Sequence, residues 1–195
     1  DWYGRLHAYS LKVDESTRRI VSEEAWEASA KMPAAASRRI RFWRNGELVD
    51  FTGSNVSLAN LCDKSSVMYP GMLICSASEL EGLATNSATA VAYLRGDTTN
   101  EKRSGGKLRD RTTVLGDIIT STPALSSPLD DYGFRRLPGA MGTSYADYMV
   151  TKRNDRRYMV YAAANDGMLH AFDGGMGADG EMDSDGGKEL FAYIP

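Results

Sequence analysis

A mainly β chain, made of partial β-propeller blades interrupted by a helix-containing insertion, is the fold this sequence predicts, and three observations predict it. Gly4-Arg5-Leu6-His7-Ala8-Tyr9 returns near the other end as Gly167-Met168-Leu169-His170-Ala171-Phe172. In both copies a glycine opens a run in which apolar residues alternate with others, the period of a strand with one buried face. Each copy then leads through a polar stretch into a second strand that ends around an aromatic, Arg19-Ile20-Val21 to Trp26-Glu27-Ala28 in one case and Lys188 to Tyr193 in the other, which is the rhythm of successive blade strands.

Taken in order, residues 1–29 read as the last two strands of one blade. Residues 30–116 read as an insertion. In it, strands at Ser37 to Trp43 and Glu47 to Phe51 flank Asn45-Gly46, the pair that best tolerates the positive φ angles of a type I′ hairpin turn. Cys62 and Cys75 enclose a segment with the turn former Pro70-Gly71, which leaves two readings open: a small disulfide loop in an exported protein, or buried thiols in a cytosolic one. Ser76-Ala77-Ser78-Glu79 is a capping box. Leu80, Leu83, Ala84, Ala88, Val91 and Leu94 continue one apolar face up to Gly96, so a helix is predicted over 77–95 with Gly96 as its left-handed cap.

Residues 117–195 read as one complete blade: an inner strand at Asp117 to Leu125, a long loop at 126–157, and strands at Tyr158 to Ala164, Met168 to Asp173 and Lys188 to Ile194. One and a half blades cannot close a ring, and a blade buries its faces only against neighbours, so the chain is expected to be part of something larger. Composition agrees with a folded, turn-rich protein: 42% hydrophobic and 25% charged residues, 19 glycines and 10 tyrosines among 195. A net charge of −3 with dispersed Lys and Arg argues against a nucleic-acid partner. No apolar run reaches the ~18 residues that a transmembrane helix needs.

Tyr93-Leu94-Arg95-Gly96-Asp97, Arg109-Asp110-Arg111, Leu115 to Pro123, Tyr161 to Asp173 and Gly187 to Pro195, in this order and spacing, resemble the PilY-type family of type IV pilus biogenesis factors and tip-associated adhesins, which includes the neisserial PilC proteins. The resemblance covers roughly residues 88–195, is weaker over 1–45 and is absent over 46–75. It implies a propeller domain, export to the fimbrium, outer membrane or cell surface, association with pilins and minor pilins, and roles in opposing pilus retraction, in twitching motility and in cell adhesion.

Within that frame three groups of residues stand out. Arg95-Gly96-Asp97 is the tripeptide that integrin-binding proteins display, and in this family it implies a host-cell receptor; the alternative is a helix end in which Gly96 caps and Asp97 pairs with Arg109 or Arg111. Asp179, Glu181, Asp183 and Asp185 before Gly186 offer alternating oxygen ligands for calcium, although Glu181 stands first and Ala192 stands where a bidentate Glu belongs. A solvated hairpin loop is the alternative there. His7 and His170 occupy equivalent places in the repeat, which argues for a shared structural role. No catalytic constellation is legible, and the expected function is non-enzymatic.

The competing reading is a blade fragment of a pyrroloquinoline quinone-dependent dehydrogenase, since quinoprotein-like blades share this strand pattern. Those enzymes use a Trp- and Gly-rich docking motif in each blade, which Trp2, Trp26 and Trp43 are not expected to supply, and Phe191 stands where the repeat's tryptophan usually lies. An outer-membrane assembly scaffold fits the strands but not the insertion.

Overall fold

The computed structural model describes residues 3–63, 70–177 and 180–195, and among these described residues lie two sheets and four α-helices. Strands β1 (His7–Asp14) and β2 (Arg19–Glu27) form an antiparallel hairpin. The second sheet has six strands: β3 (Ile40–Arg44), β4 (Glu47–Asp50), β5 (Ala124–Ser126), β6 (Met159–Ala163), β7 (Leu169–Asp173) and β8 (Glu189–Ile194). Their order is β4-β3-β8-β7-β6-β5, antiparallel throughout except for the parallel pair β3 and β8. The architecture is thus a mixed arrangement of open sheets with helices, and the hairpin at 40–50 extends the sheet of residues 124–194.

Local chemistry explains most of these elements. Asn45 and Gly46 both take positive φ, 52° and 86°, as the β3–β4 turn requires. Cys62, which ends α1 (Leu58–Cys62), is bonded to Cys75. Ser76 and Glu79 form the reciprocal capping box at the start of α2 (Ala77–Ala84). At the end of α3 (Ser87–Leu94) the Gly96 N–H donates to Tyr93 O and the Asp97 N–H to Ala92 O, the paired bonds of a Schellman cap, with Gly96 at φ 113°.

Three sequence expectations are corrected. The helix expected over 77–95 is two helices, because Thr85 takes φ 66° and the Asn86 side chain accepts from the Thr89 N–H to start a new one. The inner strand expected from Asp117 shortens to Ala124–Ser126, because Thr120 sits at φ 62° and Pro123 has no N–H to give to a ladder. The long loop at 126–157 contains α4 (Ala140–Asp155), which buries only Gly142 and Met149 and so carries no apolar stripe to announce it.

The core forms where elements meet. Ile40, Phe51, Val56, Val91, Met168 and Ala192 pack the inserted segment against the six-stranded sheet. Trp26, Ala28, Leu115, Ala162 and Phe172 pack the β1–β2 hairpin against the same face of that sheet, over β6 and β7. Trp26 does supply a docking contact, contrary to the sequence expectation. Its indole lies against Gly175, Gly186 and Gly187, and its Nε1–H donates to Gly174 O at 3.1 Å. A Cβ on Gly187 would stand 2.8 Å from the ring, so this close approach requires glycine.

Trp26→Ala should therefore lower the unfolding free energy by about 3–5 kcal/mol, and Gly187→Ala by about 1–3 kcal/mol. Urea denaturation of both variants measures this. A loss below about 1 kcal/mol for Trp26→Ala contradicts the packing account.

Candidate functional site

Parallel pairing of β3 with β8 sets Ile40 beside Ala192, which brings Arg38, two residues before Ile40, alongside Glu189 at the start of β8. Arg38 Nε and Nη2 donate to the two Glu189 carboxylate oxygens at 2.7 Å each, with both side chains about 1% exposed. The geometry is the bidentate fork that a guanidinium makes best. Arg38 Nη1 also donates to Arg95 O at 2.9 Å, so the same side chain holds the end of α3.

His170, one strand over on β7, continues the chain of charges. Its Nδ1 is 2.7 Å from Glu189 Oε1, and its Nε2 is 3.0 Å from Asp166 Oδ2. Asp166 sits in the turn between β6 and β7 and accepts from the Gly116 and Met168 N–H groups. With a carboxylate oxygen at each ring nitrogen, the imidazolium is the form that donates to both. Burial opposes charge on the ring, yet the hydrogen bonds to Asp166 and Glu189 raise its pKa above the ordinary value. Burial likewise pushes the Glu189 carboxyl up, and the bonds from Arg38 and His170 overcome it and hold the pKa at about 2. Asp166 is lowered in the same way against its burial, chiefly by His170.

Two cations and two anions thus balance inside the protein, with the hydrogen bonds that a buried ion pair needs. Both imidazole nitrogens are committed to carboxylates, leaving no lone pair for a general base. The arrangement serves to clamp the inserted segment, the six-stranded sheet and the β6–β7 turn together.

The same pair recurs in the other hairpin. His7 Nδ1 lies 2.9 Å from Glu24 Oε2. His7-Ala8-Tyr9 pairs across β2 with Glu27, Trp26 and Glu24, and a bulge lies between Ala8 and Tyr9. His170-Ala171-Phe172 pairs with Ala192, Phe191 and Glu189, with its bulge between Ala171 and Phe172. The shared structural role expected of the two histidines is therefore a contact with the carboxylate at the bulge. Sequence reading missed Glu24, Glu189 and Arg38, although both glutamates stand two residues before the aromatic of each second strand.

Beside the clamp, an open cleft of about 510 Å³ lies between α3 and the β6–β7 turn, lined by Tyr93, Arg109, Arg111, Gly116, Asp117 and Asp166 among others. Arg111 spans its floor: Nε donates to the buried Glu101 at 2.9 Å, Nη1 to Tyr93 O, Nη2 to Asp97 O, and the guanidinium lies 3.8 Å from the Tyr93 ring centroid.

Arg95-Gly96-Asp97 is half-buried, and its side-chain polar groups are bonded within the chain. Arg95 donates to the backbone carbonyls of Ala35, Phe51 and Arg38, and the Asp97 carboxylate accepts from the Thr99 N–H and hydroxyl. Asp97 meets Arg111 through its backbone carbonyl, and its carboxylate makes no ion pair with Arg109 or Arg111. In the acidic loop, Asp183 Oδ1 accepts from the Asp185 and Gly186 N–H groups, a local turn, while Glu181 and Asp185 are exposed. Asp179 lies outside the described residues. Among the described residues no group of three His, Cys, Asp or Glu side chains is placed to hold a metal ion.

Along its whole length the chain is similar to proteins named type IV pilus biogenesis factor PilY1 or its homolog. One from Xylella fastidiosa strain Temecula1 is 32% identical over 194 residues, which are 100% of this chain and 13% of the relative. A second from the same strain is 26% identical and covered over 14% of its length. The Pseudomonas aeruginosa PAO1 protein is 29% identical over 201 residues, covered over 15% of its length. The chain therefore spans about a seventh of the curated relatives it matches. No family model matches it, and no solved structure matches it.

Stability should follow the clamp with pH. The His170 pKa is raised above 6.5, so its contribution is complete below about pH 6.5 and is lost as pH rises through the higher folded value. Glu189 is lowered from 4.5 to about 2, so its contribution is complete above about pH 4.5 and is lost as pH falls toward 2. Removing one partner of a buried pair costs about 3–5 kcal/mol, the loss expected for His170→Gln near pH 6. Melting temperatures across pH should fall on the alkaline side for the wild type and show that decline abolished in the variant; parallel curves contradict the clamp.

Proposed function

We propose that this chain, related from end to end to a segment of the PilY1-type pilus biogenesis factors, forms consecutive β-propeller blades of an exported, non-enzymatic protein of the type IV pilus. The observation that carries the reading is the doubled hairpin: two copies share strand register, bulge position and a His–Glu contact, and one copy packs on the sheet that contains the other. In this reading 1–29 closes one blade, 117–195 is the next, and the insertion 30–116 adds β3 and β4 to that blade's outer edge. The Cys62–Cys75 bond suits an oxidising compartment, which supports export. Among the described residues no helix is long and apolar enough to cross a membrane.

Working surfaces in such a protein are its loops and insertions, here α4, with exposed Met141, Tyr148 and Val150, and the inserted segment. Pilins and minor pilins are the partners the reading assigns to them, with adhesion and opposition to retraction as the outcome. A receptor role for Arg95-Gly96-Asp97 asks Arg95 to exchange three internal carbonyls for an external partner. Calcium is the cofactor the reading admits, through Glu181, Asp183 and Asp185, and a calorimetric titration without heat removes it.

Antibodies raised against this chain should detect its parent protein in the sheared-pilus fraction of the cells that make it. Detection in the cytosol alone overturns the reading. Addition of pyrroloquinoline quinone should leave the quinone spectrum unchanged, and a spectral shift on binding would favour the dehydrogenase alternative.

A further inference from the structure

Residues 102–111 hold five cations, Lys102, Arg103, Lys107, Arg109 and Arg111, and a single carboxylate, Asp110, in a chain whose net charge is −3. The fold builds this segment as a tight loop. The Lys102 N–H donates to Leu108 O and the Leu108 N–H to Asn100 O, and a Cβ on Gly106 would stand 2.1 Å from Asn100 O. Glu101 is buried at its base and pairs with both Arg103 and Arg111. Lys102, Arg103, Lys107 and Arg109 stay exposed. Among the described residues Lys102, Lys107 and Arg109 meet no carboxylate, whereas the surface cations Lys12, Arg41, Arg135 and Arg157 each do. A fixed loop therefore carries unspent positive charge.

Two open clefts, of about 510 and 420 Å³, flank the segment that leaves this loop and share Arg111, Thr113 and Val114. Turns and the ends of elements line both of them. Arg109 reaches the first, with Asp117 and Asn165; Arg5 and Arg103 reach the second, with Ser29, Thr98 and Thr112. The carboxylates along the walls are bonded within the chain: Asp117 to Asn165, Asp166 to His170, and Glu27 to Ser29 and Ala30. What is left for a ligand is guanidinium forks that fit a carboxylate, beside hydroxyls and an amide that exchange hydrogen bonds with alcohols.

That combination matches a sugar bearing a carboxylate. A bilayer would need apolar anchors, and the one apolar side chain of the loop, Leu108, is only 9% exposed. Single-stranded nucleic acid would need free aromatic faces, and Tyr93, the ring at the first cleft, already has the Arg111 guanidinium 3.8 Å from its centroid. We propose that the loop at 102–111 and the clefts beside it bind an acidic polysaccharide of uronate-type sugars, with Arg109 holding a carboxylate while Asn165 and the threonines hold hydroxyls. This goes beyond the pilus reading, which names no ligand of this chemistry.

Biolayer interferometry on the whole chain tests it, with a short oligogalacturonate as the probe and neutral dextran, duplex DNA and vesicles of anionic lipid as comparisons. Oligogalacturonate should bind, dextran should not, and rising salt should weaken the binding. Arg109→Gln should weaken it about tenfold, and Arg109→Lys, which keeps the charge and loses the fork, several-fold. Arg153→Gln on α4, an exposed cation outside both clefts, should leave it unchanged. All three substitutions fall on exposed side chains, and matching melting temperatures would confirm that each variant folds. Absence of oligogalacturonate binding, equal binding of dextran, or tighter binding of the DNA or the vesicles overturns the proposal. Full affinity in either Arg109 variant overturns it too, as does a loss in Arg153→Gln. The pilus-fraction result is independent of all these outcomes.

Discussion

The Glu189 carboxylate is the constraint on which the rest of the structure depends. A buried anion is costly, and this one persists because a guanidinium grips both oxygens and an imidazolium approaches one of them. To supply those partners the chain must place Arg38 by parallel pairing of β3 with β8, and His170 by antiparallel pairing of β7 with β8. The requirement extends outward: His170 needs Asp166, which fixes the β6–β7 turn and holds Gly116, and Arg38 holds Arg95, which fixes the end of α3. One buried charge therefore sets the mutual placement of residues 38–44, the end of α3, the six-stranded sheet and the β6–β7 turn.

Packing of the β1–β2 hairpin on the six-stranded sheet works by different means. Trp26 supplies a large apolar surface and one N–H, and the glycines of the 174–187 loop remove the side chains that would keep the indole away. The junction is shape-dependent where the clamp is charge-dependent. The hairpin itself keeps Leu11, Val13 and Ile20 at the surface, so the folded chain presents apolar sheet faces of the kind that form interfaces.

Much of this was legible in the sequence where the signal is local. The β1–β2 and β7–β8 hairpins, the Asn45-Gly46 turn, the Ser76 capping box and the Gly96 cap each rest on a few adjacent residues, and each is present. What failed to show is non-local or lacks a pattern. Helix α4 has no apolar stripe, and the break at Thr85-Asn86 interrupts an apolar face that runs on across it. Arg38 gave no cue, because nothing near it in sequence foretells a partner on β8. Glu24 and Glu189 were visible in the repeat, yet their pairing with His7 and His170 depends on bulges that only the folded ladder displays. Of the residues singled out for binding, Arg95 and Asp97 direct their polar groups to neighbouring backbone and Thr99, a use that a tripeptide motif cannot signal.

The charge state of His170 tests the clamp most directly. Nitrogen-15 and carbon-13 resonances of the ring, recorded from about pH 5 to about pH 9, should report an imidazolium protonated at both nitrogens that loses its proton above the ordinary histidine midpoint near 6.5. A ring already neutral at or below that midpoint, with one nitrogen bare, would contradict the account, because Asp166 and Glu189 would then be sharing a single proton donor.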